Sequence, residues 1–163
     1  MTDIKIITTG GTIDKIYFDA RSEFQVGAPQ IGEVLKEANV TLGYDITALL
    51  RKDSLDLTDA DRDHIYAAVK ACPQKRVIVT HGTDTMTTTA AVLKKIARKT
   101  IVLTGAMQPA QFRLTDAVFN IASAFTAVQL LPPGVYIAMN GLIFDPGTAR
   151  KNRALNRFER LDR

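Results

Sequence analysis

The fold can be read from the stretch Arg76-Val77-Ile78-Val79-Thr80-His81-Gly82-Thr83-Asp84-Thr85-Met86. Val77, Ile78 and Val79 form a short continuous β-branched run, the pattern of a parallel strand buried on both faces. Gly82 supplies a tight turn, and residues 87–97 carry apolar side chains at helical spacing. Thr83, Asp84 or Thr85 can cap that helix. Hydroxyls and a carboxylate therefore meet free backbone N–H groups at the carboxyl end of a strand, which is where open α/β sheets bind ligands. Capping alone would account for one such turn. A second lies near the amino terminus, where Ile4-Lys5-Ile6-Ile7-Thr8-Thr9 reads as another buried strand and runs into Gly10-Gly11-Thr12-Ile13-Asp14. The two threonine-bearing turns are expected to face each other across one crevice.

Beyond the first of these turns, residues 14–28 lack periodicity and contain Tyr17, Phe18, Phe24 and Gly27, so they read as a long binding loop or lid. Pro29 suits a first helical turn, with Ile31, Val34, Leu35 and Ala38 following at helical spacing. Residues 44–50 read as a second strand leading into Ser54, and Thr58 caps a helix with Asp61 completing an imperfect capping box. Residues 100–104 form a fourth strand that runs into Gly105 and Ala106. A helix is expected from about Thr115 to Leu130, and Pro132-Pro133-Gly134 ends it. Residues 135–139 make a fifth strand, Asn140-Gly141 a tight turn, and residues 142–144 a short antiparallel return. This alternation predicts a three-layer α/β fold: an open, mostly parallel sheet with helices on both faces and a short terminal β-hairpin.

The 163 residues suit one domain, and 46% apolar with 23% charged residues is ordinary for a globular protein. No run approaches eighteen apolar residues and no signal-peptide pattern is present, which makes the cytoplasm the default location. Cys72 is the single cysteine, so an intramolecular disulfide is excluded, and with His64 and His81 it offers no metal-ligand spacing. His81 beside a buried strand reads as a hydrogen-bonded structural residue rather than a base. Residues 147–163 hold Arg150, Lys151, Arg153, Arg157, Arg160 and Arg163 against Glu159 and Asp162, which is the whole net charge of +4. With only Phe158 interleaved, this tail reads as a solvated or subunit-facing segment rather than a nucleic-acid site.

Thr8-Thr9-Gly10-Gly11-Thr12-Ile13 and His81-Gly82-Thr83-Asp84-Thr85-Met86 resemble the two signature stretches of the bacterial-type L-asparaginase family, and Val102-Leu103-Thr104-Gly105-Ala106-Met107-Gln108-Pro109 resembles a third. The resemblance covers essentially the whole chain as that family's amino-terminal domain. It implies hydrolysis of the asparagine side-chain amide to aspartate and ammonia, with no metal or cofactor. It implies Thr12 as the nucleophile of an acyl-enzyme and Thr83, Asp84 and Lys151 as a second catalytic set, with the Thr83 backbone N–H helping to stabilise an oxyanion. Asp84 then holds the substrate α-ammonium, Ser54 its α-carboxylate and the Ala106 carbonyl the leaving amide, while Gly11 and Gly82 line the substrate site.

Three departures qualify the match. Where the family places a tyrosine on the mobile loop, this chain has Phe24, and Tyr17 on the same loop reads either as its replacement or as a packed loop aromatic. The family's glutamine beside the carboxylate-binding serine is Leu55, so α-carboxylate recognition is weaker or supplied differently. The family's carboxyl-terminal domain has no counterpart, so the expectation is a complete short single-domain asparaginase whose copies associate into a homo-oligomer. Two other readings stand beside it: the amidase component of a tRNA-dependent amidotransferase, and a non-catalytic module that binds asparagine or aspartate. A dinucleotide site is excluded, because Gly10-Gly11 is not followed by the glycine-rich spacing such a site needs.

Overall fold

Strands whose side chains are apolar on both sides require cover on both faces, and the computed structural model, which describes residues 2–161, provides it. Six strands make the sheet: β1 (Ile4–Gly10), β4 (Tyr44–Lys52), β5 (Arg76–Thr80), β6 (Thr100–Thr104), β7 (Gly134–Met139) and β8 (Leu142–Phe144). Their order across it is β4-β1-β5-β6-β7-β8. The first five run parallel, and β8 returns antiparallel to β7 through Asn140 and Gly141, both at positive φ (54° and 74°). The expected three-layer α/β architecture and the β7–β8 return are both present.

Alternate residues of the strands feed two cores. Ile7, Val77, Val79 and Leu103 pack against α2 (Asp59–Ala71) and α3 (Met86–Leu93) on one face. Ile4, Ile6, Ile78 and Val102 pack against α1 (Ile31–Glu37) and α4 (Ala117–Leu130) on the other. Because β1 lies between β4 and β5, the chain winds outward in opposite directions from β1, and the crevice at the carboxyl ends of β1 and β5 is the switch point where doubly wound sheets hold ligands.

Several boundaries differ from the sequence expectation. Residues 14–28 are no open loop but a two-stranded hairpin, β2 (Lys15–Phe18) and β3 (Glu23–Val26), turned through Ser22 at φ 51°. Its base is closed by the Gly27 N–H donating to the Asp14 carbonyl, and the Tyr17 and Phe24 rings meet edge to face across it. Pro29 lies outside α1, which begins at Ile31 because the Gln30 N–H is taken by the Asp14 carboxylate. The helix expected over 87–97 starts one residue earlier and stops at Leu93, and Arg98, at φ 62°, reverses the chain toward β6. The capping box at α2 is complete: Thr58 Oγ1 accepts from the Asp61 N–H and Asp61 Oδ2 from the Thr58 N–H.

The basic tail is ordered into an antiparallel pair, β9 (Ala149–Asn152) and β10 (Arg157–Arg160), separate from the main sheet. Phe158, 2% exposed, pins this arm to the core through Phe144, and its N–H donates to Asn140 Oδ1. Asp162 and Arg163 lie outside the described residues. Among the described residues no helix is long and apolar enough to cross a membrane.

Candidate active site

Four turns converge at the switch point, and glycines let them touch. A Cβ on Gly11, which is already at φ 86°, would lie 2.5 Å from the Cα and N of Gly82. A Cβ on Gly82 would lie 2.6 Å from the Ser54 Cβ. The β1 turn carrying Thr12, the β5 turn carrying Thr83 and the turn after β4 carrying Ser54 are thus in backbone contact, a packing that only glycine permits. Gly105 after β6 packs in the same way against the His81 carbonyl, and Ala106 behind it is buried.

Neither Thr83 nor Asp84 caps α3. Thr85 occupies the N-cap, and its hydroxyl donates to the Ser54 carbonyl (2.8 Å) while its N–H donates to Ser54 Oγ (3.3 Å). Released from capping, Thr83 and Asp84 meet Lys151 instead. Lys151 Nζ donates to Thr83 Oγ1 at 2.7 Å and to Asp84 Oδ1 at 2.9 Å, reaching them from the β9 strand of the tail arm. Thr83 is 6% exposed and its hydroxyl is committed to this lysine, whereas Thr12 is half-buried.

The surroundings hold these groups in place. Thr9 Oγ1 donates to the Thr80 carbonyl and ties β1 to β5. Asp116 accepts from the N–H groups of Met107 and Gln108, and Asn120 Nδ2 donates to the Gly105 carbonyl, which fixes the turn that carries Ala106. His81 is buried with both ring nitrogens satisfied, Nδ1 at the Gly82 carbonyl and Nε2 at Thr89 Oγ1, each at 2.7 Å. Burial lowers its pKa from 6.5 to about 4, so the ring is neutral and structural, in keeping with the sequence reading. Asp14, two residues after Thr12, has its carboxyl pKa raised by burial to about 7, against the opposing pull of the Gln30 N–H and of Arg51. Partial burial pushes the Asp53 carboxyl up, but the Leu55 N–H, Lys15 and the charge of Lys151 outweigh it and hold the pKa below the ordinary carboxylate value.

The structure therefore gathers Gly11, Ser54, Gly82, Thr83, Asp84 and Lys151, with Thr12 next in the chain to Gly11. Tyr17 stands exposed on the hairpin, its ring against Phe24, whose other edge meets Phe112. One neighbour escaped sequence reasoning: Arg153 Nη2 lies 2.8 Å from Asp84 Oδ1. It lies in the turn just past β9, and nothing in the sequence set it apart from the other cations of the tail.

Residues 3–160 match the family model for the asparaginase amino-terminal domain. The chain belongs to the asparaginase family. Among solved structures, this asparaginase-family chain superposes on the thermostable L-asparaginase from Thermococcus kodakarensis with a TM-score of 0.84 and 26% identity, covering 96% of this chain and 50% of that one. For the probable cytoplasmic L-asparaginase from Campylobacter jejuni the values are 0.83 and 27%, covering 98% and 53%. In sequence it is 29% identical to a glutamyl-tRNA(Gln) amidotransferase component from Methanococcus vannielii, over 89% of this chain and 36% of that protein. It is also 29% identical to the glutaminase-asparaginase of Acinetobacter glutaminasificans, over 87% and 47%. The chain spans about half, or less, of the length of these relatives.

Proposed function

We propose that this domain hydrolyses the side-chain amide of L-asparagine through a threonine acyl-enzyme, with weaker action on glutamine. The observation that carries the reading is the lysine shared between Thr83 and Asp84 beside the Thr12 turn. An ammonium fixed on a hydroxyl oxygen polarises that hydroxyl, and an anion next to it offers a seat for a substrate cation. Thr12 Oγ adds to the amide carbon, its proton is relayed through the Tyr17 hydroxyl to the amide nitrogen, the C–N bond breaks and ammonia leaves. Water held at the Thr83 hydroxyl then cleaves the ester, one hydrogen restores the Thr12 hydroxyl, and aspartate departs. Apart from the substrate and one water, every group in this scheme is a side chain of the domain.

The test is ammonia release by the purified protein from L-asparagine and, separately, L-glutamine, beside Thr12→Ala. Release by wild type that falls at least about 10³-fold in Thr12→Ala, with the melting temperature held, is the expected result. Turnover surviving in Thr12→Ala removes Thr12 as nucleophile, and binding of aspartate without any ammonia marks a non-catalytic module.

A second reading has its own support. Relatives named as components of a glutamyl-tRNA(Gln) amidotransferase match most of the chain, and the β9–β10 arm is rich in arginine. On that reading glutamine is the amide donor and charged tRNA stimulates its hydrolysis, so indifference of glutamine turnover to charged tRNA eliminates it.

A further inference from the structure

Asp84 carries more positive charge than its task requires. Lys151 and Arg153 both contact the same oxygen, Oδ1, at 2.9 Å and 2.8 Å. Lys151 is fixed: its side chain is 18% exposed and it also donates to Thr83. Arg153 is not: it lies just past the end of β9, and its side chain is 68% exposed. An ion pair this open to water stabilises little and exchanges readily.

The opposite need, a group for the substrate α-carboxylate, is poorly met. Ser54 is 1% exposed, with its oxygen already accepting from the Thr85 N–H and its Cβ and Oγ pressed against Gly82. Its neighbour Leu55 is 63% exposed and has no polar side-chain atom. The α-ammonium and α-carboxylate of an amino acid branch from one carbon, so the groups that hold them must be adjacent. Arg153 is an exposed cation adjacent to Asp84.

We propose that Arg153 is the residue that selects the α-carboxylate, acting by exchange of partners. In the free site its guanidinium rests on Asp84. An arriving α-ammonium takes that place on the carboxylate, and the released guanidinium closes on the α-carboxylate as a planar two-point donor. The two charges of the zwitterion thus end paired with Asp84 and Arg153, while Lys151 stays on Thr83. This inference rests on the amidohydrolase reading above.

The experiment compares wild type, Arg153→Ala and Arg153→Lys in ammonia release from L-asparagine. 3-Aminopropanamide, which is asparagine without its α-carboxylate, serves as the competing ligand, and calorimetry measures binding of L-aspartate. For Arg153→Ala the expected result is a KM for L-asparagine and a Kd for L-aspartate each raised about tenfold or more, with kcat within about threefold. The inhibition constant of 3-aminopropanamide stays at the wild-type value or falls, because its ammonium no longer has to displace a guanidinium from Asp84. Arg153→Lys lies between wild type and Arg153→Ala for asparagine because an ammonium pairs with a carboxylate at one point only. Arg153 only blocks the site if Arg153→Ala binds asparagine as well as wild type or better, and it acts without regard to the carboxylate if both ligands weaken alike. Either outcome overturns the proposal while wild-type turnover keeps the amidohydrolase reading intact. A wild-type protein that neither releases ammonia nor binds aspartate overturns both.

Discussion

Lys151 reaches Thr83 and Asp84 from 68 and 67 positions away in the sequence, and its ammonium bridges the two. Replacing it with methionine keeps the alkyl stem and removes the charge. Arg153 remains beside Asp84, so no carboxylate is stranded and the fold survives. Lys151→Met should therefore lower kcat for asparagine by about 10²–10³-fold, read by ammonia release, with an unchanged circular dichroism spectrum. Tyr17 offers a cleaner separation, because its contact with Phe24 is made by the ring and not the hydroxyl. Tyr17→Phe should cost about 10²-fold in kcat at constant KM and constant melting temperature. A variant as active as wild type would take Tyr17 out of the proton path. Thr12, Ser54, Thr83 and Asp84 were legible as polar positions just after strands, while their expected roles, and that of Lys151, came from the family resemblance. Arg153 was only one of the tail's cations until β9 gave it a position. The burial of Asp14 depends on Gln30, sixteen residues on, which no local pattern announces.

The parallel strands and their helices were legible because buried β-branched runs and the helical period leave continuous marks in a sequence. The two hairpins left none. Each strand of β2–β3 and β9–β10 is four residues long, and each pair is held by aromatic contacts to distant segments, Phe24 on Phe112 and Phe158 on Phe144. Where elements meet, the contact between turns gives a sharp expectation. Gly82→Ala drives a methyl group into Ser54, which cannot retreat because its carbonyl and hydroxyl are both bonded to Thr85. The β5 turn must shift instead, and Thr83 with it. Ammonia release should fall by at least about 10²-fold, and the melting temperature should drop by several degrees, as overpacking of about 1–3 kcal/mol predicts. Thermal unfolding beside a turnover assay checks both halves.

In the stability of the folded domain, two buried titrating groups oppose each other. Asp14 has its pKa raised from 3.8 to about 7 by burial, with Arg51 facing it, so the stability from its protonated form is complete below about pH 4 and is lost as pH rises toward 7. His81 has its pKa lowered from 6.5 to about 4 by burial, with Arg62 adding to the effect, so the stability from its neutral ring is complete above 6.5 and is lost as pH falls toward 4. Asp14→Asn removes the first slope and leaves the second. Its melting temperature, measured against wild type from pH 4 to pH 7, should gain steadily as pH rises. Outward on α4 and β8, Val118, Phe119, Leu130 and Leu142 stay 43–77% exposed, apolar surface that the homo-oligomer expected from the sequence would cover with a second copy. Sedimentation should then report a dimer or tetramer for wild type and a monomer for the double change Phe119→Glu with Leu130→Glu. The arm that delivers Lys151 shares no ladder with the six-stranded sheet and is pinned by Phe158. Its opening is therefore a local event, cheaper than melting the domain. Amides of β9 should exchange with deuterium well before those of β5, and on heating the protein should fall silent as a catalyst while its sheet is still intact.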